Sequence, residues 1–237
     1  MKAMIFAAGV GSRLRELTKD TPKCLMSLGT ETILEHVVGQ LKRAGVSYIV
    51  INVHHHAEKV IQFVQSHKNF GLEVTFSREQ TLLDTGGGLK NVKPHFVGEK
   101  EFLIHNADIY CEADLNEIVH SHRKNNSVAT VAVMKRPSKR GLYLSPDRAL
   151  VGWTEENTQP PPHSEVFGFC GISVGSSELF EYMDDESAFS IIRPFLKAAR
   201  ATGRVKGEVL SNTEWLDIGT PEQLETLRQK LATRSPG

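Results

Sequence analysis

Glycines and basic residues near the start of the chain have the composition of an anion-binding loop. Gly9 and Gly11 follow the short apolar run 3–8, and Arg13 and Lys23 come soon after. Glycine lets backbone N–H groups approach an anion closely, because no Cβ stands in the way. Arginine adds a planar fork that matches phosphate oxygens, and lysine adds a compact charge. A loop of this kind could bind the phosphates of a nucleoside triphosphate.

Two common phosphate-binding motifs do not fit this loop. A dinucleotide-binding loop needs a third glycine where this chain has Leu14, and an acid at the end of the second strand, where the chain reads 52–54, Asn-Val-His. The P-loop pattern G-x-x-x-x-G-K-[ST] occurs nowhere in the sequence. A plain tight turn with solvated basic residues remains open, since the glycines alone fit it equally well.

Two aspartates stand where strands of an α/β fold could end. Asp108 and Asp217 each follow a short apolar run, and strand ends carry the ligands in α/β folds. The pair lies far apart in sequence, so only folding could bring the two together. On spacing alone, an ordinary aspartate that caps a turn is the favoured interpretation of each.

The elements that must position these residues alternate between strand and helix. Apolar, β-branched runs predict strands over 3–8, 48–53, 72–76, 101–105 and 128–134. Apolar spacing of three and four residues predicts helices over 33–44, 58–66 and 114–124. This alternation is typical of βαβ units, so we predict an α/β fold with a Rossmann-like, doubly wound, mostly parallel sheet.

The texture of the chain changes after residue 135. Loop-like segments surround short predicted strands over 141–145, 149–154 and 166–174, and helices are predicted over 188–200 and 221–232. No segment is long enough to separate two domains. We therefore expect a small α+β extension of the same domain.

Composition excludes several classes of protein. Lys+Arg and Asp+Glu are both 28 among 237 residues, so a nucleic-acid partner or an anionic membrane surface is not expected. Three scattered cysteines favour a reducing, cytoplasmic setting over a disulfide framework. No window is long and apolar enough for a membrane span, and the first apolar run is too short for a signal peptide. The histidines at 54–56, 120 and 122 lack the i, i+4 spacing of a helical zinc site.

Five segments, in order along the chain, resemble one known family, the sugar-1-phosphate nucleotidyltransferases. They are AAGVGSRLREL…TPKCL from residue 7, LLDTGGGLKNV from 82, FLIHNADIY from 102, FGFCGISV from 167 and EWLDIGTPEQL from 214. Within the family, the chain looks most similar to N-acetylmuramate-1-phosphate uridylyltransferases and to heptose- or mannose-1-phosphate nucleotidyltransferases. The resemblance implies a fold of the nucleotide-diphospho-sugar transferase type. It covers nearly the whole chain, which we expect to form one domain.

The resemblance also implies the reaction and the substrates. A sugar 1-phosphate attacks the α-phosphorus of an NTP, pyrophosphate leaves, and Mg²⁺ assists. We expect residues 1–135 to bind the nucleotide and residues 136–237 to bind the sugar phosphate, in a monomer or small homo-oligomer. UTP with N-acetylmuramate 1-phosphate, or a similar hexose or heptose 1-phosphate, is the expected pair.

The resemblance assigns roles to particular residues. Arg13 is expected to hold the leaving β- and γ-phosphates, Lys23 the α-phosphate and incoming phosphate, and Asp108 the catalytic metal together with Asp217. The expected nucleotide-binding residues are Ala7, Ala8, Gly9, Gly11, Arg13, Lys23, Thr85, Gly86, Gly87 and Asn106. We expect the N–H groups of the glycine run 86–88 to reach a base edge or the ribose. The expected substrate-binding residues are Arg140, Glu165 and Gly171.

The chain departs from the family pattern in two places. Ala107 stands where many relatives have glycine before the metal-binding aspartate. The region that matches the family's phosphate-binding Glu-Lys-Pro reads 152–156, Gly-Trp-Thr-Glu-Glu, and contains no lysine. Another cation must then hold the sugar phosphate. The cluster of Lys135, Arg136, Lys139 and Arg140 is the nearest supply, and we predict Arg140.

Two rival functions stay open at this point. One is transfer from CTP to phosphocholine, for which Trp153, Phe167 and Phe169 could form an aromatic cage around the choline. The other is a regulator that binds nucleotide sugar without catalysis. The presence of all four of Arg13, Lys23, Asp108 and Asp217 argues against a regulator, since binding alone does not need them.

Overall fold

A mixed sheet with helices on both faces runs through the structure, a computed structural model that describes residues 1–9, 11, 14, 17–138, 140–156 and 159–234. The strands are β1 (Lys2–Phe6), β2 (Tyr48–Val53), β3 (Glu73–Arg78), β4 (Phe102–Asn106), β5 (Ile109–Cys111), β6 (Ala129–Met134), β7 (Gly141–Leu144), β8 (Leu150–Trp153), β9 (Glu165–Gly175), β10 (Val205–Val209) and β11 (Trp215–Asp217). The helices are α1 (Ile33–Arg43), α2 (Ala57–Ser66), α3 (Asp84–Asn91), α4 (Leu115–Lys124), α5 (Ile192–Thr202) and α6 (Pro221–Arg234).

The main sheet has the order β3-β2-β1-β4-β9-β6-β10. Neighbouring strands are parallel except where β9 runs antiparallel to β4 and β6. Strand β1 lies inside the sheet, with Met4 opposite Val50 on one side and Ile104 on the other. The predicted mostly parallel, doubly wound sheet is confirmed. Its carboxyl-terminal edge is therefore where ligand-binding loops should gather.

Side chains of β1 alternate between two apolar layers, as the two-residue period of a strand requires. Ala3 and Ile5 join the layer that contains α1, α2 and α6, whereas Met4 joins the layer that contains α3 and α5. All three side chains are fully buried. Burial on both faces explains why this strand reads as a continuous apolar run rather than an alternating one.

Local signals place α1 as the sequence predicts. The Thr32 hydroxyl accepts a hydrogen bond from the Glu35 N–H, and the Glu35 carboxylate accepts one from the Thr32 N–H. This reciprocal capping box satisfies two N–H groups that the first turn would otherwise leave unpaired. Among the described helices, none is long and apolar enough to cross a lipid bilayer.

The structure contains elements that the sequence reading did not predict. Strand β10 extends the main sheet by pairing with β6, and α5 begins at Ile192 rather than at residue 188. The two short strands β5 and β11 pair antiparallel as a separate small sheet. Strands β9 and β10, which lie in the predicted extension, are part of the main sheet, and the hairpin β7–β8 attaches to β9. The carboxyl-terminal half thus completes the sheet that the first half begins.

Candidate active site

A cleft of about 750 Å³ lies at the carboxyl-terminal edge of the main sheet. Its lining comes from the start of α3, the end of β4, the loop after β6, the middle of β9, the segment before α5 and the strand β11. The lining residues are Asp84, Thr85, Asn106, Asp108, Ile109, Arg136, Pro137, Ser138, Arg140, Trp153, Phe169, Gly171, Ser190, Ile191, Ile192, Trp215, Asp217 and Gln223. This is the edge at which open α/β sheets bind ligands.

A larger depression, of about 1140 Å³, lies at the opposite edge of the sheet. Both arginines of its described lining are paired with glutamates of the same lining: Arg123 with Glu101, and Arg204 with Glu178. Pairs of this kind leave little net charge to recognise an anion. Its size alone does not make it the reaction site, and we place the chemistry at the carboxyl-terminal edge.

The two aspartates predicted to hold a metal lie together at the cleft. Strand β11 pairs with β5 so that Asp217 stands opposite Ile109, and the Ile218 N–H donates to the Asp108 carbonyl oxygen at 3.0 Å. The pairing of these two short strands joins residues that are remote in sequence. Both carboxylates are about one-third exposed, so solvent and ligands can reach them.

Lys23 connects the two carboxylates. Its Nζ lies 2.6 Å from Asp108 Oδ2 and 3.7 Å from Asp217 Oδ1, and its side chain is only 10% exposed. The lysine opens a short 3-10 turn directly after Pro22. The next residue, Cys24, is buried, and burial raises the pKa of its thiol to about 12. This thiol is therefore neutral near pH 7 and is no candidate nucleophile.

The glycine loop lies beside this lysine. Gly11 has a φ of +64°, and a Cβ on it would lie 2.8 Å from Thr18 Cγ2 and 3.4 Å from Lys23 Cβ. Glycine is thus required there both for the backbone angle and for space. Arg13, predicted to hold the leaving phosphates, lies outside the described residues.

The segment 7–9 and helix α3 meet at the end of β1 through Asn52. The Ala7 N–H donates to Asn52 Oδ1 at 2.7 Å, and Asn52 Nδ2 donates to Glu79 Oε1 at 2.7 Å. A Cβ on Gly88 would lie 2.9 Å from Asn52 Nδ2, so the helix packs closely against these side chains. Buried polar groups are fixed in place here by their hydrogen bonds.

The glycines of α3 have a different role from the one that the sequence reading assigned to them. The Gly86 and Gly87 N–H groups both donate to the Phe189 carbonyl oxygen, at 2.8 and 3.3 Å. A Cβ on Gly86 would overlap the Phe189 ring, and one on Gly87 would overlap the Ser187 carbonyl oxygen. The prediction that these N–H groups reach a base or ribose is corrected. They bind the segment before α5, and the small residues allow its close approach.

Thr85 takes part in the same contact. Its hydroxyl oxygen accepts a hydrogen bond from the Ile191 N–H at 3.0 Å, and both residues line the cleft. Asn106 lines the cleft from the end of β4, against Gly171, whose φ is +74°. A Cβ on Gly171 would lie 3.0 Å from Asn106 Nδ2. The structure thus places Thr85, Asn106 and Gly171 at the cleft, as it does Asp108 and Asp217.

A second part of the cleft lining is built around Arg136. Its guanidinium lies over the Trp215 ring, with 4.1 Å between Cζ and the ring centroid, and its Nη2 donates to the Phe169 carbonyl oxygen at 2.8 Å. The Trp215 Nε1–H in turn donates to the Cys170 carbonyl oxygen at 2.9 Å. In the sequence, Arg136 is one member of a basic cluster, and nothing there marks it rather than Arg140 as a ligand-binding residue. No local signal identifies it, because its partners are remote in sequence.

The other predicted substrate residues differ in position. Arg140 lines the cleft, but its side chain is 76% exposed and its Nε donates to Glu155 at 2.5 Å. Glu165 does not line the cleft and pairs with the exposed Lys135 at 3.1 Å. Lys23 and the segment 7–9 are likewise absent from the cleft's described lining, although Lys23 contacts two residues that form it.

The aromatic residues do not form an open cage. Of the three predicted cage residues, Phe167 and Trp153 are buried, and Phe169 alone is half-buried at the cleft. The Trp215 face nearby already carries the Arg136 guanidinium. A quaternary ammonium needs exposed aromatic faces, and a guanidinium at the same place would repel it. The geometry therefore does not favour a choline phosphate over a sugar phosphate.

The donor set fits a hard divalent cation. Two carboxylates meet at the cleft, and oxygen ligands from one or two acids plus substrate phosphates are what Mg²⁺ prefers. In the part of the chain that the structure describes, no cluster of three or more His, Cys, Asp or Glu could form a complete protein cage. Asp108 and Asp217 would share the ion with phosphate oxygens of the substrate.

Comparisons with known proteins identify a family. The model of the family described as "Nucleotidyl transferase" matches residues 2–142, more than half of the chain. Mannose-1-phosphate guanyltransferase of Yarrowia lipolytica is 35% identical over 148 residues, covering 61% of this chain and 41% of that protein. UTP–glucose-1-phosphate uridylyltransferase of Synechocystis is 25% identical over 249 residues, covering 98% and 64%. The chain thus spans about two-fifths to two-thirds of the length of these relatives.

The fold is shared over the whole chain with a solved structure. A Bacillus anthracis protein, described as a glucose-1-phosphate thymidylyltransferase in complex with a sucrose, superimposes with a TM-score of 0.84 at 22% sequence identity. The match covers 100% of this chain and 97% of that one. At this level of identity the likeness shows the fold.

Proposed function

The chain belongs to the nucleotidyl transferase family, and from that premise we propose that it transfers a nucleotidyl group from an NTP to a sugar 1-phosphate. A sugar-phosphate oxygen forms a bond to the α-phosphorus, the bond from that phosphorus to the bridging oxygen breaks, and pyrophosphate leaves with the electron pair. The products are an NDP-sugar and pyrophosphate.

The observation that carries this proposal is the contact of Lys23 with Asp108 and Asp217 at the carboxyl-terminal cleft. Two anions must approach each other in the reaction, so catalysis depends on neutralising charge and aligning the reactants. Lys23 is placed to hold the α-phosphate once a cation and substrate take over the carboxylates. Arg13 is proposed for the leaving phosphates.

A requirement for a divalent cation is general in this family, and we propose Mg²⁺ here. When bound, the ion neutralises phosphate charge and orients the phosphate oxygens. Asp108 and Asp217 would hold it. Their positions are fixed by the pairing of β5 with β11, so the ligands are preorganised by backbone hydrogen bonds rather than by side-chain packing alone.

The nucleotide is proposed to lie between the segment 7–9, Gly11, Thr85 and Asn106, with the start of α3 beside the base. Gly86 and Gly87 support this wall through their packing on Phe189 rather than through contacts to the base. The sugar is proposed to lie near Gly171, with Arg140 at the entrance. Glu165 is proposed only as a partner that orients Lys135 outside the cleft.

Relatives name different bases and sugars, so the pair is a matter for experiment. Mannose 1-phosphate with GTP and glucose 1-phosphate with UTP correspond to the named relatives. UTP with N-acetylmuramate 1-phosphate, or a similar hexose or heptose 1-phosphate, is the pair that the sequence motifs favour. The chain offers a polar cleft with Ser190 and Gln223 in its lining for sugar hydroxyls.

Pyrophosphate release tests the proposal. The protein is assayed with Mg²⁺, the nucleotides ATP, CTP, GTP, UTP and dTTP, and the 1-phosphates of N-acetylmuramate, glucose, mannose and heptose, with phosphocholine as the rival acceptor. We expect release with one sugar pair and loss of release in Asp108→Asn. Release with phosphocholine alone would favour the rival transfer reaction, and nucleotide-sugar binding without any release would favour the regulator.

A further inference from the structure

Among the described residues, Arg136 and Arg140 are the cations that line the cleft, and their surroundings differ. Arg140 is 76% exposed and is paired with the carboxylate of Glu155. Arg136 is partly buried and is held by a carbonyl oxygen and an aromatic face, neither of which neutralises its charge. To bind a phosphate, Arg140 would have to leave Glu155 and order an exposed side chain, and the ordering lowers the net gain in binding free energy.

We propose that Arg136 is the residue that binds the phosphate of the incoming sugar 1-phosphate, in place of the lysine that the segment 152–156 lacks. This inference rests on the proposed function and names a specificity-determining contact of the same site. It replaces the expectation that Arg140 has that role.

Three contacts fix the guanidinium. Nη2 donates to the Phe169 carbonyl oxygen at 2.8 Å, and the plane lies over Trp215 at 4.1 Å. Gly168 allows this position, since a Cβ there would lie 2.7 Å from Arg136 Cζ. A preorganised arginine loses less side-chain entropy on binding than a mobile one, so its phosphate contact is stronger.

The hydrogen-bonding state of Arg136 also favours a role in ligand binding over a role in stability alone. Its Nε–H is buried and has no hydrogen-bond partner among the described residues. A buried donor left unpaired costs free energy, and a residue placed only for stability should avoid that cost. The arrangement suits a guanidinium that the protein holds at the cleft for a ligand, at some cost in stability.

The two walls meet through β11. Trp215, which carries Arg136, is two residues before Asp217, and both lie in the strand that pairs with β5. A phosphate on Arg136 would therefore lie at the same cleft as the carboxylates that hold the cation. Strand β11 would thus position both the residue that supports Arg136 and one of the proposed cation ligands.

The test separates the two substrates kinetically. Arg136→Gln is expected to lower kcat/KM for the sugar 1-phosphate by about 10²-fold, while the Kd for Mg–NTP, measured by calorimetry, stays within about twofold. Arg136→Lys should recover part of the loss, because it keeps the charge and loses the planar fork. Lys135→Gln is the matched control in the same loop, exposed and outside the cleft lining, and should change kcat/KM less than about threefold.

A second variant leaves the arginine in the chain. Gly168→Ala should displace the guanidinium and raise KM for the sugar 1-phosphate with little change in KM for the NTP. If Arg136→Gln fails to fold, this variant still decides the question. Equal kinetics of wild type and both Arg136 variants, with active wild type, would overturn the inference and leave the proposed function standing. Wild-type inactivity with every pair would overturn the proposed function, and the inference with it.

Discussion

The two walls of the cleft handle charge in opposite ways. On one wall, Lys23 is paired with the carboxylates of Asp108 and Asp217, and the three groups together leave a net negative charge. On the other wall, Arg136 rests on Trp215 and on the Phe169 carbonyl oxygen, and its guanidinium has no carboxylate partner among the described residues. We infer that the first wall exchanges partners when a cation and nucleotide bind, whereas the second can take up an anion directly.

The largest effect is expected when Asp108, on the wall that holds Lys23 and two carboxylates, loses its charge. Asp108→Asn should lower kcat by about 10² to 10³-fold at saturating Mg²⁺, because it would remove a proposed cation ligand and the nearer of the two carboxylates that pair with Lys23. Asp114→Asn is the control, since asparagine also caps the start of α4 and the residue lies outside the cleft. Steady-state kinetics of both variants measures this. Equal activity of Asp108→Asn and wild type would remove Asp108 from the mechanism.

The free energy of unfolding is expected to depend on pH through a histidine buried near Asp108. His105 lies on β4, three residues before Asp108, and burial lowers the pKa of its imidazole to about 4. The unfolded chain binds this proton near pH 6.5 and the folded chain only near 4, so stability is full above pH 6.5 and falls as pH drops toward 4. The expected loss is about 3 kcal/mol.

Urea unfolding at several pH values measures this loss. His105→Gln should flatten the fall between pH 6.5 and 4, whatever its stability at pH 7. A variant whose stability falls as steeply as that of wild type across this window would show that other groups cause the acid sensitivity.

A smaller effect concerns the packing that supports the cleft. Gly87→Ala should lower the free energy of unfolding by about 1–3 kcal/mol, because the new methyl group would overlap the Ser187 carbonyl oxygen. Gly39→Ala is the matched control in α1, where the nearest atom, on the side chain of Arg43, is 3.6 Å away. That change should stabilise the protein by up to about 1 kcal/mol. Chemical denaturation that ranks the two variants in the reverse order would contradict the packing role of the α3 glycines.

The smallest expected effect sharpens the difference between the two aspartates. Asp217 lies 3.7 Å from the lysine and Asp108 lies 2.6 Å away. Asp217→Asn should therefore retain more activity than Asp108→Asn, with about a tenfold higher Mg²⁺ concentration for half-maximal rate. A titration of rate against Mg²⁺ measures it. An unchanged half-maximal concentration would place Asp217 outside the metal site.

The sequence predicted those elements whose signals are local. Strands β1 and β2 are buried apolar runs, and α1 has both helical spacing and a capping box, so each is visible within a short window. The end of β4 could be recognised as a carboxylate position for the same reason. These parts needed no knowledge of distant residues.

The parts that the sequence did not predict depend on remote contacts. Strands β5 and β11 have three residues each and pair across nearly half of the chain's length, which no local pattern shows. The α3 glycines read as a flexible start of a helix, because their partner, Phe189, is far along the chain. Arg136 and Arg140 lie close together in sequence, and contacts with remote residues distinguish them: Trp215 and Phe169 for Arg136, and Glu155 for Arg140.

Following the individual phosphates of the NTP is the most direct test of nucleotidyl transfer at this site. An NTP labelled separately at the α- and γ-phosphates is incubated with the accepted sugar 1-phosphate, Mg²⁺ and either the wild-type protein or Asp108→Asn. We expect the α-label in the NDP-sugar and the γ-label in pyrophosphate, and we expect both products to be lost in the variant. Transfer of the γ-label to the sugar phosphate, or its release as inorganic phosphate, would contradict nucleotidyl transfer at the Lys23, Asp108 and Asp217 site.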